Sequence, residues 1–194
     1  EEPSAEAALP PRDTLRWIDE VEVLSDKARK ALGANNGNRL ATRIGDLVAS
    51  ARRDLAIISP YFIPGDDGMA VLDRLIARGV RISVLTNSLA ATDVVAVHGA
   101  YAGYRRPLLK LGVALYELRP ELTPARGSLF GSKGASLHTK AFTVDGETAF
   151  VGSFNFDPRS RSLNTEMGII VHDRELACEI DRHFREQTQP DSAY

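Results

Sequence analysis

From Asn38 onward the chain alternates between two hydrophobic rhythms. Leu40, Ile44, Leu47, Val48 and Ala51 recur at helical spacing behind an Asn38 cap. Asp54-Leu55-Ala56-Ile57-Ile58 is then a compact apolar run of the kind a buried strand makes. Val71, Leu72, Leu75 and Ile76 spell a second helix closed by Gly79, with a strand from Val80 to Leu85 behind it. A third helix is expected from an Asp93 cap to Lys110, stopped near Gly112, and a strand from Val113 to Leu118. After that the rhythm changes to strands through Leu137 to Val144, Thr148 to Val151 and Met167 to Val171, then a helix from Arg174 to Gln187. Helix and strand in alternation, then consecutive strands, predict an α/β fold: a mixed β-sheet flanked by helices on both faces. No internal repeat is visible.

Residues 1–36 break this rhythm. They open polar and proline-bearing and close on Gly-Ala-Asn-Asn, the composition of a linker or inter-lobe segment, so the folded lobe is expected to occupy 37–194. Within the linker, Trp17-Ile18 and Val21 to Leu24 are read as a short strand or a patch docked on a neighbour. The chain opens at Glu1 without a methionine, which reads as a fragment or a processed product.

Composition adds exclusions. With 43% apolar and 26% charged residues the chain is ordinary for a globular protein, and its one cysteine, Cys178, makes no disulfide framework. Cys178 is read as a small buried residue of the last helix. No apolar run approaches the ~18 residues of a membrane span. The formal net charge is −2, yet residues 97–161 hold nine Lys and Arg against five Asp and Glu. That mild basicity suits an anionic phospholipid surface and falls short of a dedicated nucleic-acid face.

Candidate chemistry is concentrated in one stretch. His138 and Lys140 stand two apart, Asp145 follows, and Gly152, Ser153 and Asn155 come after a short apolar run. In an extended strand residues two apart share a face, so an imidazole and an ammonium enter one space. Gly152 allows close backbone approach, while Ser153 and Asn155 add neutral donors at the next strand's end. A cation and neutral donors suit the equatorial oxygens of a phosphodiester, and leave the His138 imidazole free to attack phosphorus. One His, one Lys and one Asp do not make up the ligand set a zinc ion takes, so a metal-independent, cofactor-free site is expected. Asp145 reads equally as a turn residue before Gly146.

The pattern H-x-K, four residues, D, then G-S-x-N resembles the signature of the phospholipase D superfamily, and Asn164-Thr165-Glu166 resembles that family's N-x-E segment. Ser59 to Gly65, Thr86 to Asp93, Tyr104 to Leu109 and Gly112 to Leu118 are similar to the C-terminal lobe of bacterial cardiolipin synthase-like proteins, a likeness running from about Ser50 to the end. The resemblance implies His138, Lys140, Asp145 and Glu166 as catalytic residues, with Asp145 more structural than proton-carrying, and Ser153 and Asn155 as substrate-binding residues. It implies that Glu166 hydrogen-bonds a catalytic histidine and fixes its tautomer, and that phosphatidyl transfer proceeds through a phosphohistidine. It also implies two motifs per active site, whereas this chain carries one. The missing partner is then an N-terminal half of the same protein or a second copy, working on an anionic phospholipid at the periphery of the bacterial cytoplasmic membrane.

Two other readings stay open: a homodimeric metal-independent endonuclease of the same superfamily, and a noncatalytic lobe that binds a membrane or partner. Tyr61 and Phe62 are read as packing residues or acyl-chain contacts, His98 as an acceptor-pocket or surface residue, and Arg159 and Arg161 as headgroup or solvated cations.

Overall fold

The computed structural model describes residues 17–32, 39–119 and 136–194. They form one seven-stranded sheet in the order β1-β7-β6-β5-β2-β3-β4. Its strands are β1 (Val21–Ser25), β2 (Asp54–Ile58), β3 (Arg81–Asn87), β4 (Ala114–Leu118), β5 (Ala141–Val144), β6 (Thr148–Gly152) and β7 (Met167–Val171). β2, β3 and β4 run parallel, joined by α2 (Gly65–Ala77) and α3 (Val95–Leu111), while β5, β6, β7 and β1 add antiparallel neighbours.

Alternation along the central strands sorts side chains to two faces. Ile57, Val84, Phe142 and Phe150 point into a core shared with Leu40, Ile44, Leu47 and Val48 of α1 (Arg39–Ala49) and with Leu72, Leu75, Tyr101 and Leu108 of α2 and α3. Their neighbours Ile58, Leu85, Ala141 and Ala149 point the other way, under Ala177, Ile180 and Phe184 of α5 (Arg174–Gln187). The Phe142 and Phe150 rings stack at 5.0 Å. Burying one such ring contributes about 2 kcal/mol. The mixed sheet with helices on both faces is therefore as the sequence predicts.

The β5–β6 hairpin turns on Asp145 and Gly146, both at positive φ (58° and 66°), the geometry of an Asp-Gly two-residue turn. Gly152 and Gly168 face each other across β6 and β7. A Cβ on Gly152 would lie 2.5 Å from the Met167 carbonyl, and one on Gly168 would run into the Phe150 ring. Only glycine lets these strands close over that ring.

The structure departs from the sequence reading at several places. Val21 to Leu24 do form the short strand that was one of their two readings, but Val21–Ser25 pairs with β7 as an edge strand of this same sheet rather than lying in a linker, and a 3-10 turn (Ala28–Leu32) follows it. The Asn38 cap lies outside the described residues; the Leu40 N–H at the start of α1 instead donates to Asp26 Oδ1 at 3.2 Å. Asp93 does not cap α3, which begins after Val94 with no side-chain cap, because its carboxylate accepts from the Tyr61 hydroxyl at 2.7 Å. The strand read from Leu137 begins at Ala141, so His138 and Lys140 lead into β5 rather than lie within it. Cys178 is exposed on α5, whose buried face carries Ala177, Ile180 and Phe184.

Candidate active site

Because β5 runs antiparallel to both β2 and β6, and β7 antiparallel to β6, one end of the sheet collects the start of β5, the end of β6, the start of β7 and the carboxyl ends of β2 and β3. Ligands in open α/β sheets gather at that end. His138 and Lys140 arrive on the approach to β5. Ser153 and Asn155 leave β6, and Glu166 precedes β7.

The ladder ties these segments together: Gly152 N–H donates to the Lys140 carbonyl at 3.1 Å, and Ser153 N–H to the Met167 carbonyl at 2.9 Å. His138 is exposed, and its carbonyl accepts from Lys140 Nζ at 2.7 Å. Burial pushes the Lys140 ammonium below the usual lysine range, and the negative charges of Glu166, Asp93 and Asp157 offset part of that shift. Lys140 thus brings a partly desolvated cation to the backbone of the exposed His138.

Glu166 is buried, and hydroxyls take both its oxygens: Ser153 Oγ donates to Oε2, and Ser160 Oγ to Oε1 at 2.7 Å. The expected hydrogen bond from Glu166 to a histidine is not among those the described residues make; serines fill the carboxylate within this lobe. Asn155 is buried with Oδ1 lacking a hydrogen-bond partner among the described residues, a polar atom waiting for a donor.

Asp145 lies apart from this cluster, at the far end of β5, a strand ~13 Å long at ~3.3 Å per residue. Its carboxylate accepts from the backbone N–H groups of Arg52, Arg53 and Asp54 at 2.7–3.1 Å, which hold its pKa below the usual aspartate value although burial raises it. It fastens the hairpin turn to the start of β2 and touches none of the groups at the other end.

The further candidates divide. Phe62 is core and stacks obliquely on Phe156, while Tyr61 reaches Asp93. His98 is buried against Tyr101 and approaches Arg105 at 3.4 Å. Arg159 is exposed, and Arg161 pairs with Asp67 on α2. Beside the motif loop a groove of about 530 Å³ opens between α1 and α2, with Ile44, Val48, Val71, Phe62, Phe154 and Phe156 among its walls.

Sequence reasoning missed four residues. Asn87, at the end of β3, holds the backbone of Leu137 just before His138. Ser160 bonds Glu166, and Asp26 and Lys30 reach the same corner from the stretch read as a linker. Among the described residues no group of three or more His, Cys, Asp and Glu is placed to hold a metal ion, and no helix is long and apolar enough to cross a membrane.

Residues 44–188 match a family model described as cardiolipin synthase, PLD-like domain. The chain belongs to this phospholipase D-like family. This PLD-like chain is 46% identical over 186 residues to cardiolipin synthase C of Escherichia coli, covering 93% of the chain but 39% of that protein. It spans about two fifths of the length of that curated relative. Among solved structures, the fold superposes on Nuc of Salmonella typhimurium, a phospholipase D family member, with a TM-score of 0.61 at 19% identity, covering 90% of this chain and 99% of Nuc. Phosphatidylserine synthase of Haemophilus influenzae matches with a TM-score of 0.67 at 20% identity, covering 90% of this chain and 39% of the synthase.

Proposed function

We propose that this PLD-like lobe is one half of a phosphatidyltransferase that acts on the phosphodiester of an anionic phospholipid through a phosphohistidine. The observation that carries the reading is the meeting of His138, Lys140, Ser153 and Asn155 at one sheet end in a chain 46% identical to cardiolipin synthase C. In the proposed step an imidazole nitrogen attacks phosphorus while the ester oxygen departs. One histidine forms the new N–P bond, and a second, from the complementary motif, gives its proton to the leaving alkoxide. An acceptor alcohol then reverses the sequence, losing its proton to that second histidine as its oxygen displaces the first. Lys140 balances charge on the equatorial oxygens, the Asn155 side-chain amide N–H group orients the diester, and Ser153 joins it by turning its hydroxyl proton from Glu166 to the phosphate. His138 is the imidazole of this lobe, in either role. Asp145 acts at a distance, by fixing the hairpin.

The second lobe is an N-terminal half of the same protein or a second copy. The apolar groove beside the motif loop favours a lipid over nucleic acid, since it offers walls for an acyl chain. Work at the surface of the cytoplasmic membrane fits the same substrate. The test compares this chain with a version extended upstream to include a second motif, using phosphatidylglycerol vesicles and light scattering. Transfer by the extended protein alone, or by a dimer of this chain, supports the reading. A fully active monomer overturns the two-lobe account, and a dimer that cuts DNA while ignoring phosphatidylglycerol replaces it with an endonuclease.

A further inference from the structure

The side chain of Lys30 is fully buried, at 0% exposure, on a short turn where a lysine ordinarily extends into water. Burying an ammonium costs several kcal/mol unless good partners meet it. Its partners are the Asp26 carboxylate at 2.5 Å, also 0% exposed, and the Ser160 carbonyl at 2.7 Å, 130 residues further along the chain. That carbonyl is available because α4 (Pro158–Ser162) ends after one turn and the Leu163 and Asn164 N–H groups both go to Arg159.

Asp26 grips the same corner from its other side. Its N–H donates to the Glu166 carbonyl at 2.8 Å, its Oδ2 accepts from the Glu166 N–H at 3.3 Å, and its Oδ1 accepts from Leu40 at the start of α1. Both backbone polar groups of Glu166 are thus held by Asp26, and the backbone of Ser160 by Lys30. Between these two anchors the side chains meet: Ser160 Oγ donates to Glu166 and accepts from the Asn155 N–H at 3.2 Å.

We propose that Lys30, acting with Asp26, is a positioning residue for the active site: it fixes Ser160, and through Ser160 sets the Glu166 carboxylate and the Asn155 backbone. The inference rests on the reading of Glu166 and Asn155 as site residues. A buried ion pair adds little net stability over an apolar pair of equal volume, and in this lobe it serves geometry.

The test uses the upstream-extended protein, or the dimer if that is the active form, and hydrolysis of bis(4-nitrophenyl) phosphate alongside transfer from phosphatidylglycerol vesicles. Lys30→Met is expected to lower kcat about tenfold to a hundredfold, as misplacement of a supporting contact does, with KM changed less than about twofold. Ser160→Ala cuts the same link and leaves the Glu166 carboxylate in place. The Lys30→Met effect should therefore shrink to under about twofold in the Ser160→Ala background. Equal losses in both backgrounds, or wild-type kcat for Lys30→Met, overturn the proposal. If Lys30→Met does not fold, Lys30→Gln takes its place in the same cycle and is held to the same criterion. Failure of vesicle transfer with intact diester hydrolysis would count against the lipid reading and leave this one standing.

Discussion

The side-chain amide of Asn87 brackets the backbone of Leu137: its Oδ1 accepts from the Leu137 N–H at 2.9 Å, and its Nδ2 donates to the Leu137 carbonyl at 3.2 Å. β3 thereby grips the residue before His138, doing with one side chain what a neighbouring strand does with its backbone. Asn87→Ala leaves the buried Leu137 N–H without its partner and the carbonyl with only a long contact from Ser136 Oγ at 3.4 Å. We expect a stability loss of about 2 kcal/mol in urea unfolding and a drop in turnover of more than about tenfold. Full activity in a destabilised variant would show that His138 does not depend on this grip.

His138→Ala should abolish turnover even with the second motif supplied, since either the nucleophile or the proton donor is gone. Acid-quench trapping and peptide sequencing would then tell which role His138 holds. Wild-type-like turnover by the Ala variant removes it from the site.

A charge placed in the groove between α1 and α2 should separate lipid from generic phosphodiester chemistry. Val71→Glu is expected to cut transfer from long-chain phosphatidylglycerol at least about tenfold while leaving hydrolysis of a soluble diester within about twofold, as desolvating a carboxylate opposes acyl entry. Equal losses on both substrates would mean that the groove holds no acyl chain.

Glu22 on β1 is held down to about 2, chiefly by hydrogen bonds from Arg43 of α1, with a contribution from His172 beyond β7 and against an opposing effect of burial. A carboxylate with a depressed folded pKa stabilises the fold above its unfolded value, and that contribution is lost as pH falls through the folded one. Stability should therefore decline from about pH 4.5 toward pH 2. Glu22→Gln should flatten that limb by about 1 kcal/mol or less, since both partners are about a third exposed. Acid unfolding curves that coincide for the two proteins would refute the assignment.

Turnover should stay within about twofold after EDTA, because Lys140 and neutral donors stand where a catalytic metal would supply several kcal/mol of charge stabilisation. Loss on chelation, restored by one divalent ion, would overturn this chemistry.

The fold was legible because periodicity and punctuation agreed. β7 and α5 match their predicted bounds, and Gly112, at a φ of 97°, ends α3 where the sequence placed a stop. Turn chemistry also sufficed at Asp145-Gly146. What escaped were contacts between distant segments. The Asp26–Lys30 pair looks in the sequence like any charged pair four apart, and its meaning comes only from the Ser160 carbonyl that folding brings to it. β1 was legible in part: Val21 to Leu24 read as a short strand or a docked patch, but with Val21 and Val23 exposed nothing in so short an alternation says that the strand joins this sheet beside β7. Asp93 was misread because a side chain that suits a helix cap was claimed by Tyr61.

The pairing of Val21 with Val171 fixes an order of events. The segment bearing β1 leaves the ribosome well before β7, and no order of synthesis can pair the two until residue 171 exists. The loop that closes is long, and its entropy must be met by contacts formed late. Asp26 and Lys30 directly follow that strand, so the corner that holds Glu166 closes beside the sheet's β1 edge. Assembly of the fold and completion of the site meet at this edge.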